Sequence, residues 1–398
     1  NIDSVIAAIA GTADNGSGVD SLDKLTTLVD AALAASRAAF AVISGYDGSN
    51  TTPGEANFTA LSVTDVSASN ISSVNSVLAV LSVAATDSRA EVQSIVNTYV
   101  AILNAADGTV NSGLALTAAN YQNIGLTDIT SSSQANLFSS ILDSNVDSAV
   151  DAYSELQILA NIVARLFITA AGGNPTPPIT AAELALIGIN GVTSTNLSSV
   201  LSTIAATTDN GSGIDDLAKL QGVVDTGIAN ARSASQAIIT NYDGTNTVPT
   251  LDDFVNVGVT GVISGQIAAI NTFIAVRPAV DTDSQAEVQA IVDAYAKLVS
   301  SANGLADGGL PLSAIEFATL GLSAVDLSAE VNLLNDLIDV RPGTAVDSYV
   351  EVAALASIVT RFIGEAAGVA SSPALTPADF VALGISGVTA ENLAEVLV

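Results

Sequence analysis

The stretch Thr376-Pro377-Ala378-Asp379-Phe380-Val381-Ala382-Leu383-Gly384-Ile385-Ser386-Gly387-Val388-Thr389 decides the fold, because it holds a short helix with its start and stop signals. A threonine N-cap, a proline at the first helical position and a carboxylate three residues after the threonine predict where this helix begins. Gly384 is expected to take the left-handed conformation that ends it. Related stretches centre on Gly125, Gly188, Gly258 and Gly321, and on Ser62 in place of the glycine. These six positions are 63 or 70 residues apart, which indicates a tandem repeat.

A longer repeat contains these stretches three at a time. Ala13-Asp14-Asn15-Gly16-Ser17-Gly18 recurs as Thr208-Asp209-Asn210-Gly211-Ser212-Gly213, at a shift of 195 residues. Tyr46-Asp47-Gly48 recurs as Tyr242-Asp243-Gly244, at a shift of 196. The sequence therefore predicts two copies of a three-part super-repeat of about 196 residues. The six predicted units are 1–71 (A1), 72–136 (B1), 137–197 (C1), 198–267 (A2), 268–331 (B2) and 332–398 (C2).

The dominant period within a unit is that of a helix. In 284–301, apolar residues recur at the i, i+3, i+4 and i+7 positions of one helix face. A serine or threonine followed three residues later by glutamate predicts helix-starting capping boxes at Ser88, Thr180, Ser284, Ser313 and Ser348. No segment sustains the alternation of a strand. The predicted fold class is therefore all-α, with a long, a short and a third helix in each unit.

The sequence leaves the packing of these units open. Three such helices can close a small bundle, or neighbouring units can share helices and stack as a solenoid. Because no Pro- or Ser-rich spacer separates the units, we expect them to pack end to end rather than as loosely strung beads. The chain also begins at 1–5 and ends at 392–396 within the same repeated element. We therefore expect a segment of a longer array, or a subunit that associates head to tail.

Composition argues against several classes of function. The 398 residues carry a net charge of −30 with only ten lysines and arginines, and such a surface repels nucleic acid and anionic membranes. His and Cys are absent, which removes the commonest catalytic bases, nucleophiles and metal ligands. No nucleophile elbow or phosphate-binding loop occurs. We therefore expect no enzyme and no cofactor. Since no uninterrupted run of about 18 apolar residues occurs, we also expect no membrane insertion.

Acidic loops are the candidate metal sites. Calcium prefers six to eight oxygen ligands on a glycine-bearing turn. The Asp-Asn-Gly-Ser-Gly loops and the Tyr-Asp-Gly loops supply some of them, which makes weak calcium candidates of Asp14, Asp20, Asp47, Asp209, Asp215 and Asp243. The spacing does not match the EF-hand. The alternative is ordinary turn chemistry, in which a glycine turn is followed by an aspartate N-cap.

Two arginines stand within apolar helical runs at the same phase of the repeat. Arg165 and Arg361 are 196 residues apart. This recurrence predicts a structural partner, and the candidates are Glu155 and Glu351 or a helix C-terminus. The alternative is an arginine whose stem covers apolar surface while its head stays in water.

The motifs together resemble a known kind of repeat. Leu-Thr-x-x-x-Phe-x-x-Leu-Gly-Ile-x-Gly-Val-Thr-x-x-Asn-Leu, at 116–130, 180–197 and 376–393, and Asp-Ser-x-Ala-Glu-Val at 283–292, resemble helical tandem repeats of giant Gram-negative surface adhesins and matrix proteins. Such proteins are usually exported by type I secretion. The resemblance implies an extracellular or cell-surface structural protein of a fibre, stalk, sheath or surface layer, whose partners are adjacent repeats or copies of itself. The alternative is a calcium-dependent adhesin that binds a surface glycan or another cell-surface ligand.

Overall fold

A computed structural model describes residues 2–13, 15–110, 113–208, 210–306 and 309–397, and these ranges are all-helical. Nineteen α-helices and five short 3-10 turns occur in them, and β-structure is limited to two isolated bridges. The predicted fold class, all-α, is confirmed.

The helices are of three kinds that alternate along the chain. The long helices have 17 to 24 residues and are α2 (Leu22–Ser44), α5 (Arg89–Ala105), α8 (Tyr153–Ala170), α11 (Leu217–Thr240), α14 (Gln285–Ser301) and α17 (Tyr349–Ala366). A short helix follows each, namely α3 (Glu55–Ala60), α6 (Ala118–Asn123), α9 (Ala181–Leu186), α12 (Leu251–Val257), α15 (Ala314–Thr319) and α18 (Pro377–Ala382). The third kind comprises α1 (Ile2–Ala10), α4 (Ile71–Leu78), α7 (Ser132–Ser144), α10 (Leu197–Ala205), α13 (Ile267–Ile274), α16 (Ser328–Asp339) and α19 (Leu393–Val396).

The helices begin where the sequence predicts. Ser88 and Glu91 bond reciprocally, since the Glu91 N–H donates to Ser88 Oγ over 3.3 Å and the Ser88 N–H donates to Glu91 over 2.9 Å. Equivalent pairs start α9, α14 and α15. At Ser348 the carboxylate of Glu351 accepts from the serine N–H over 3.1 Å. Each pair satisfies backbone donors that the first helical turn leaves without a partner.

The short helices end in left-handed residues, as predicted. The five glycines at this position, Gly125, Gly188, Gly258, Gly321 and Gly384, have φ between 79° and 90°. Ser62 takes the same conformation with φ 56°, although its Cβ makes that conformation costly. One backbone turn is thus kept at all six positions, including the one without a glycine.

The chain divides into two compact units, Asn1–Ile228 and Ala229–Val398, and the division falls within α11. The core of the first unit is a continuous cluster of Leu, Ile and Val around Phe58, Tyr99, Tyr121 and Phe138. The core of the second is a similar cluster around Phe254, Phe273 and Phe317. The boundaries of the six smaller units stay a prediction.

Candidate functional site: junctions between successive helices

One apolar position, directly after each left-handed residue, marks where a short helix meets the next long helix. Its side chain is no more than 6% exposed at five places in the chain, namely Val63, Leu126, Ile189, Val259 and Leu322. At the sixth, Ile385, it is 41% exposed. The residue belongs to the same local motif everywhere, so its burial depends on what packs over it.

A glutamine on the next long helix clamps the turn at three of these junctions. The Asn190 N–H donates to Gln221 Oε1 over 2.9 Å, and Gln221 Nε2 donates to the Asn190 carbonyl over 3.2 Å. Thr64 is held in the same way by Gln93 (2.8 and 3.3 Å), and Thr260 by Gln289 (2.8 and 3.1 Å). Two backbone groups beside the buried apolar residue are thus satisfied by one side chain.

At the fourth junction, between Leu126 and α8, a different pair bridges the same elements. Gln157 Nε2 donates to Asp128 over 2.8 Å, and the Tyr153 hydroxyl donates to the Gly125 carbonyl over 2.9 Å. The Gln157 side-chain amide therefore binds a side chain of the turn, that of Asp128, and not the backbone of the turn.

A second contact joins three helices of the third kind, α4, α7 and α13, to a long helix further along the chain. The Tyr153 N–H donates to Ser76 Oγ over 2.9 Å, and the Tyr349 N–H donates to Thr272 Oγ1 over 2.9 Å. The Leu217 N–H donates to Ser140 Oγ over 3.2 Å. The separation is 77 residues in all three cases, which is longer than one predicted unit. These hydroxyls satisfy a helix-start donor, and each ties an element of one predicted unit to an element of the next.

Sequence reasoning missed both sets of contacts. The glutamine stands two residues after the capping-box glutamate in Glu91-Val92-Gln93 and Glu287-Val288-Gln289, and Thr64–Gln93 and Thr260–Gln289 share a separation of 29. The hydroxyls share the separation of 77. The signal in the sequence was the recurrence of these polar residues at constant separations from their partners.

The two repeated arginines have partners other than the predicted ones. Arg165 pairs with Glu183 of α9 and donates to the Pro178 carbonyl over 3.2 Å. Arg361 pairs with Asp379 of α18 over 2.8 Å. The prediction of Glu155 and Glu351 was wrong. A separation of ten helical residues is about 15 Å, which is too far for a direct contact.

Glu155 and Glu351 instead accept from backbone N–H groups at their own helix starts, over 3.0 and 3.1 Å. The picture of an arginine head reaching into water is also wrong for Arg165, whose side chain is 6% exposed. Each arginine thus joins a long helix to the short helix that follows it.

The arginines lower the pKa of their partner carboxyls. The side-chain hydrogen bond from Arg361 lowers the pKa of Asp379 from 3.8 to about 2, assisted by hydrogen bonds from Thr376. The side-chain hydrogen bond from Arg165 likewise lowers the pKa of Glu183. The same two carboxylates accept the N-cap hydrogen bonds of α18 and α9, so one group closes both the helix start and the interhelix pair.

The acidic calcium candidates are dispersed among ordinary loop contacts. Asp20 pairs with Lys24 over 2.7 Å and Asp215 pairs with Lys219 over 2.6 Å. Asp47 accepts from the Ser49 N–H and hydroxyl over 2.9 and 2.8 Å, and Asp243 accepts from Thr245 in the same way. These hydrogen bonds lower the pKa of both loop aspartates.

Two further candidates, Asp14 and Asp209, lie outside the described residues. Within the described ranges, no three acidic side chains come together in a group that could hold a metal ion. Calcium binding stays a prediction.

One helix in the described part of the chain, α2, is long and apolar enough by length and composition to cross a membrane. It carries Asp30 and Arg37 in its interior. The expectation of no membrane insertion therefore also stays a prediction.

No family model, curated protein or solved structure matches this chain. The resemblance to bacterial surface repeats is therefore a hypothesis that rests on the quoted motifs alone.

Proposed function

We propose that this chain is a structural repeat protein, a spacer in a fibre, stalk, sheath or surface layer outside a bacterial cell. The observation that carries the proposal is the recurrence of one junction. The same apolar residue, glutamine clamp and helix-start hydroxyl recur along the chain at nearly constant separations. Repeated contacts between neighbours are how a linear protein sets its length.

The finer architecture belongs to the same proposal. We infer six units of three helices, each packed on the next as in a solenoid rather than as separate beads. The contacts between residues 77 positions apart favour this arrangement, because a bead of about 65 residues cannot contain both partners. The lack of His and Cys agrees with a role that needs no reaction centre.

Stretching a single molecule tests the proposal. Held between two handles, the chain is expected to give a train of similar ruptures, each releasing about 20 nm of contour for a unit of about 65 residues. A single cooperative rupture of the whole chain would contradict it, because units in series unfold one or a few at a time.

A further inference from the structure

We propose that a cavity between α4 and the start of α8 binds a primary ammonium group carried on a short alkyl chain. The cavity has a volume of about 240 Å³ and lies within the first compact unit. Four serines from α4 and the turn before it and two aspartates that precede α8 form its polar wall, namely Ser69, Ser72, Ser73, Ser76, Asp147 and Asp151. The site goes beyond the proposed spacer function and does not depend on it.

A buried hydroxyl points to a ligand in this cavity. Ser73 is 5% exposed and lines the cavity. The contact that it makes with the Ser76 hydroxyl, over 2.7 Å, uses its backbone carbonyl, and its own hydroxyl has no hydrogen-bond partner among the described residues. A buried polar group without a protein partner is costly unless something else binds it. A ligand that enters the cavity and bonds to this hydroxyl removes that cost.

The two aspartates give the cavity a negative charge that no basic side chain balances. Asp147 and Asp151 line the cavity and are exposed. Neither carboxylate takes part in an ion pair in the part of the chain that the structure describes. Hydroxyl and carboxylate oxygens are acceptors, and hydrogen bonds from a charged donor to a carboxylate are the strong ones. The wall is therefore suited to a cation that donates hydrogen bonds.

The equivalent cavity one unit further along the chain already contains an ammonium group. At a shift of 64 residues, Ser76 corresponds to Ser140, and each hydroxyl accepts the N–H of a helix start. Asp151 corresponds to Asp215 at the same shift. The equivalent cavity, of about 370 Å³, is lined by Lys219, whose Nζ lies 2.6 Å from Asp215 Oδ1. An ammonium on a four-carbon stem thus pairs with the aspartate there.

This lysine has no counterpart in the first cavity. Glu155 stands at the position of Lys219, and its carboxylate accepts from the Ala152 N–H over 3.0 Å. Asp151 therefore keeps the place of the acceptor, while the position of the donor holds a second acidic residue. An ammonium group from another molecule restores the pairing that the second cavity makes internally.

The side chains of the cavity fit an alkylammonium better than a metal ion. An ammonium donates three hydrogen bonds, and the hydroxyls and carboxylates of the wall accept them. Leu103 and Ala152 also line the cavity and offer an apolar contact for the alkyl chain. Calcium prefers six to eight oxygens, and no group of three acidic side chains exists in the described ranges to supply them.

The second super-repeat provides a natural comparison, because it has lost most of this wall. Ser69, Ser72, Ser73 and Asp147 correspond, at a shift of 196, to Gly265, Ala268, Ala269 and Gly343. Asp347 keeps the position of Asp151, and Thr272 keeps the hydroxyl of Ser76. We therefore expect the ammonium to bind in the first unit and not at the corresponding place in the second.

An NMR titration of the full chain with n-butylammonium chloride tests the proposal. The ionic strength is held at about 0.15 M with NaCl, because a chain of charge −30 attracts every cation weakly. The amides of α4 and of 147–152 are expected to shift along one binding curve, with a Kd on the order of 1 mM. The amides of α13 and of 343–348 are expected to stay in place. Tetramethylammonium, which has no N–H to donate, is expected to shift neither set.

Substitutions in the wall measure its contribution. Ser73→Ala and Asp151→Asn are each expected to raise the Kd about tenfold, since each removes a hydrogen bond to a charged group. Ser73→Ala introduces the residue that the second super-repeat carries as Ala269, and Asp151 is exposed, so both variants are expected to fold. Asp347→Asn is the matched control and is expected to leave the Kd unchanged. Circular dichroism checks the fold, and Asp147→Asn replaces either variant that does not pass.

The source of the ammonium group is distinguished by a second probe. Nα-acetyl-lysine amide carries the same ammonium and a four-carbon stem on a peptide backbone. Binding of this compound as tight as that of n-butylammonium assigns the cavity to a lysine side chain of a neighbouring protein. Binding of n-butylammonium alone assigns it to a free amine.

Three results overturn the inference: amide shifts that tetramethylammonium reproduces, equal shifts at 343–348, or an unchanged Kd in both wall variants. The first two would show that the amine binds only to the general negative charge of the chain. None of the three bears on the spacer function, which the stretching experiment tests without any amine.

Discussion

The segments 153–197 and 349–393 have the same pattern of helices and the same arginine, yet they differ in burial. In the first, α8 and α9 are covered by α10 and the start of α11, and Ile189 and Leu166 are fully buried. In the second, Ile385 and Phe362 remain partly exposed. The local sequence therefore determines the helices and turns. The helices that pack over them, α10 and the start of α11 in the first segment, determine how much of the apolar surface is buried. Stability in such a chain is a sum over units and their junctions.

Removing the arginine of each ion pair is expected to give the largest losses of stability. Arg165→Ala leaves Glu183 and two carbonyl groups without their donor in a site where the arginine is 6% exposed, and we expect a loss of roughly 3–5 kcal/mol. Arg361→Ala removes an arginine that is 15% exposed, but the carboxylate it leaves unpaired, Asp379, is 13% exposed against 27% for Glu183, so we expect a loss of similar size. Hydrogen exchange of α8 and α17 measures each effect locally. A much smaller loss in Arg361→Ala would show that burial of the arginine, which is greater at Arg165, sets the free energy of the pair.

The apolar turn position gives the next largest effect. Ile189→Ala removes a side chain that is 2% exposed, so we expect a loss of about 3 kcal/mol from transfer and cavity formation. Ile385→Ala removes one that is 41% exposed, and about 1 kcal/mol or less is expected. Exchange of the short-helix amides in α9 and α18 reports both. If the two substitutions lower the stability equally, the helix that packs over Ile189 does not contribute to the difference between the two segments.

Local signals predicted the helices, but not which of their contacts are long-range. The capping boxes at Ser88 and Ser284 and the glycine turn at Gly384 are encoded within four or five residues, so sequence alone located them. The partner of Arg165 lies 18 residues away on another helix, and the partner of Leu217 lies 77 away. Such contacts depend on how helices pack, which a hydrophobic period does not specify.

Burial was harder still to predict. Ile189 and Ile385 stand in nearly identical motifs, Gly-Ile-Asn-Gly-Val-Thr and Gly-Ile-Ser-Gly-Val-Thr, and differ twentyfold in exposed fraction. The distinction arises from the helix that follows. A sequence repeat indicates which surfaces correspond, and only the packing shows which of them are covered.

The pH dependence of stability gives a further test of the Arg361–Asp379 pair. Because the pKa of Asp379 is lowered from 3.8 to about 2, the stability it contributes is fully present above pH 3.8 and is lost as the pH falls through about 2. In Arg361→Gln the main cause of the lowering is removed, so the carboxyl should titrate at a higher pH. Carboxyl carbon NMR from pH 6 to about pH 1.5 follows the titration directly. An unchanged midpoint in the variant would show that Thr376, not Arg361, holds the pKa down.

Substitutions at the left-handed position are expected to change stability less, and in opposite directions at Ser62 and Gly188. Ser62→Gly relieves a serine at φ 56° and is expected to stabilise the first unit by roughly 0.5–1 kcal/mol. Gly188→Ala places a Cβ at φ 89° and is expected to destabilise by roughly 1 kcal/mol. Thermal melts of the two variants against the wild type compare them. A loss of stability in Ser62→Gly would mean that the serine side chain makes a contact worth more than the strain.

Calcium should have the smallest effect. Asp20 and Asp215 each hold a lysine, and the hydrogen bonds within the loops already use the carboxylates of Asp47 and Asp243. A cation at any of them would replace one such contact with too few oxygens to meet the six to eight that calcium prefers. We therefore expect about 5 mM CaCl₂ to shift the melting temperature no more than the same ionic strength of NaCl, since both screen a chain of charge −30. A larger shift with calcium, abolished by Asp20→Asn or Asp215→Asn, would reinstate the acidic loops as metal sites and favour the adhesin over the spacer.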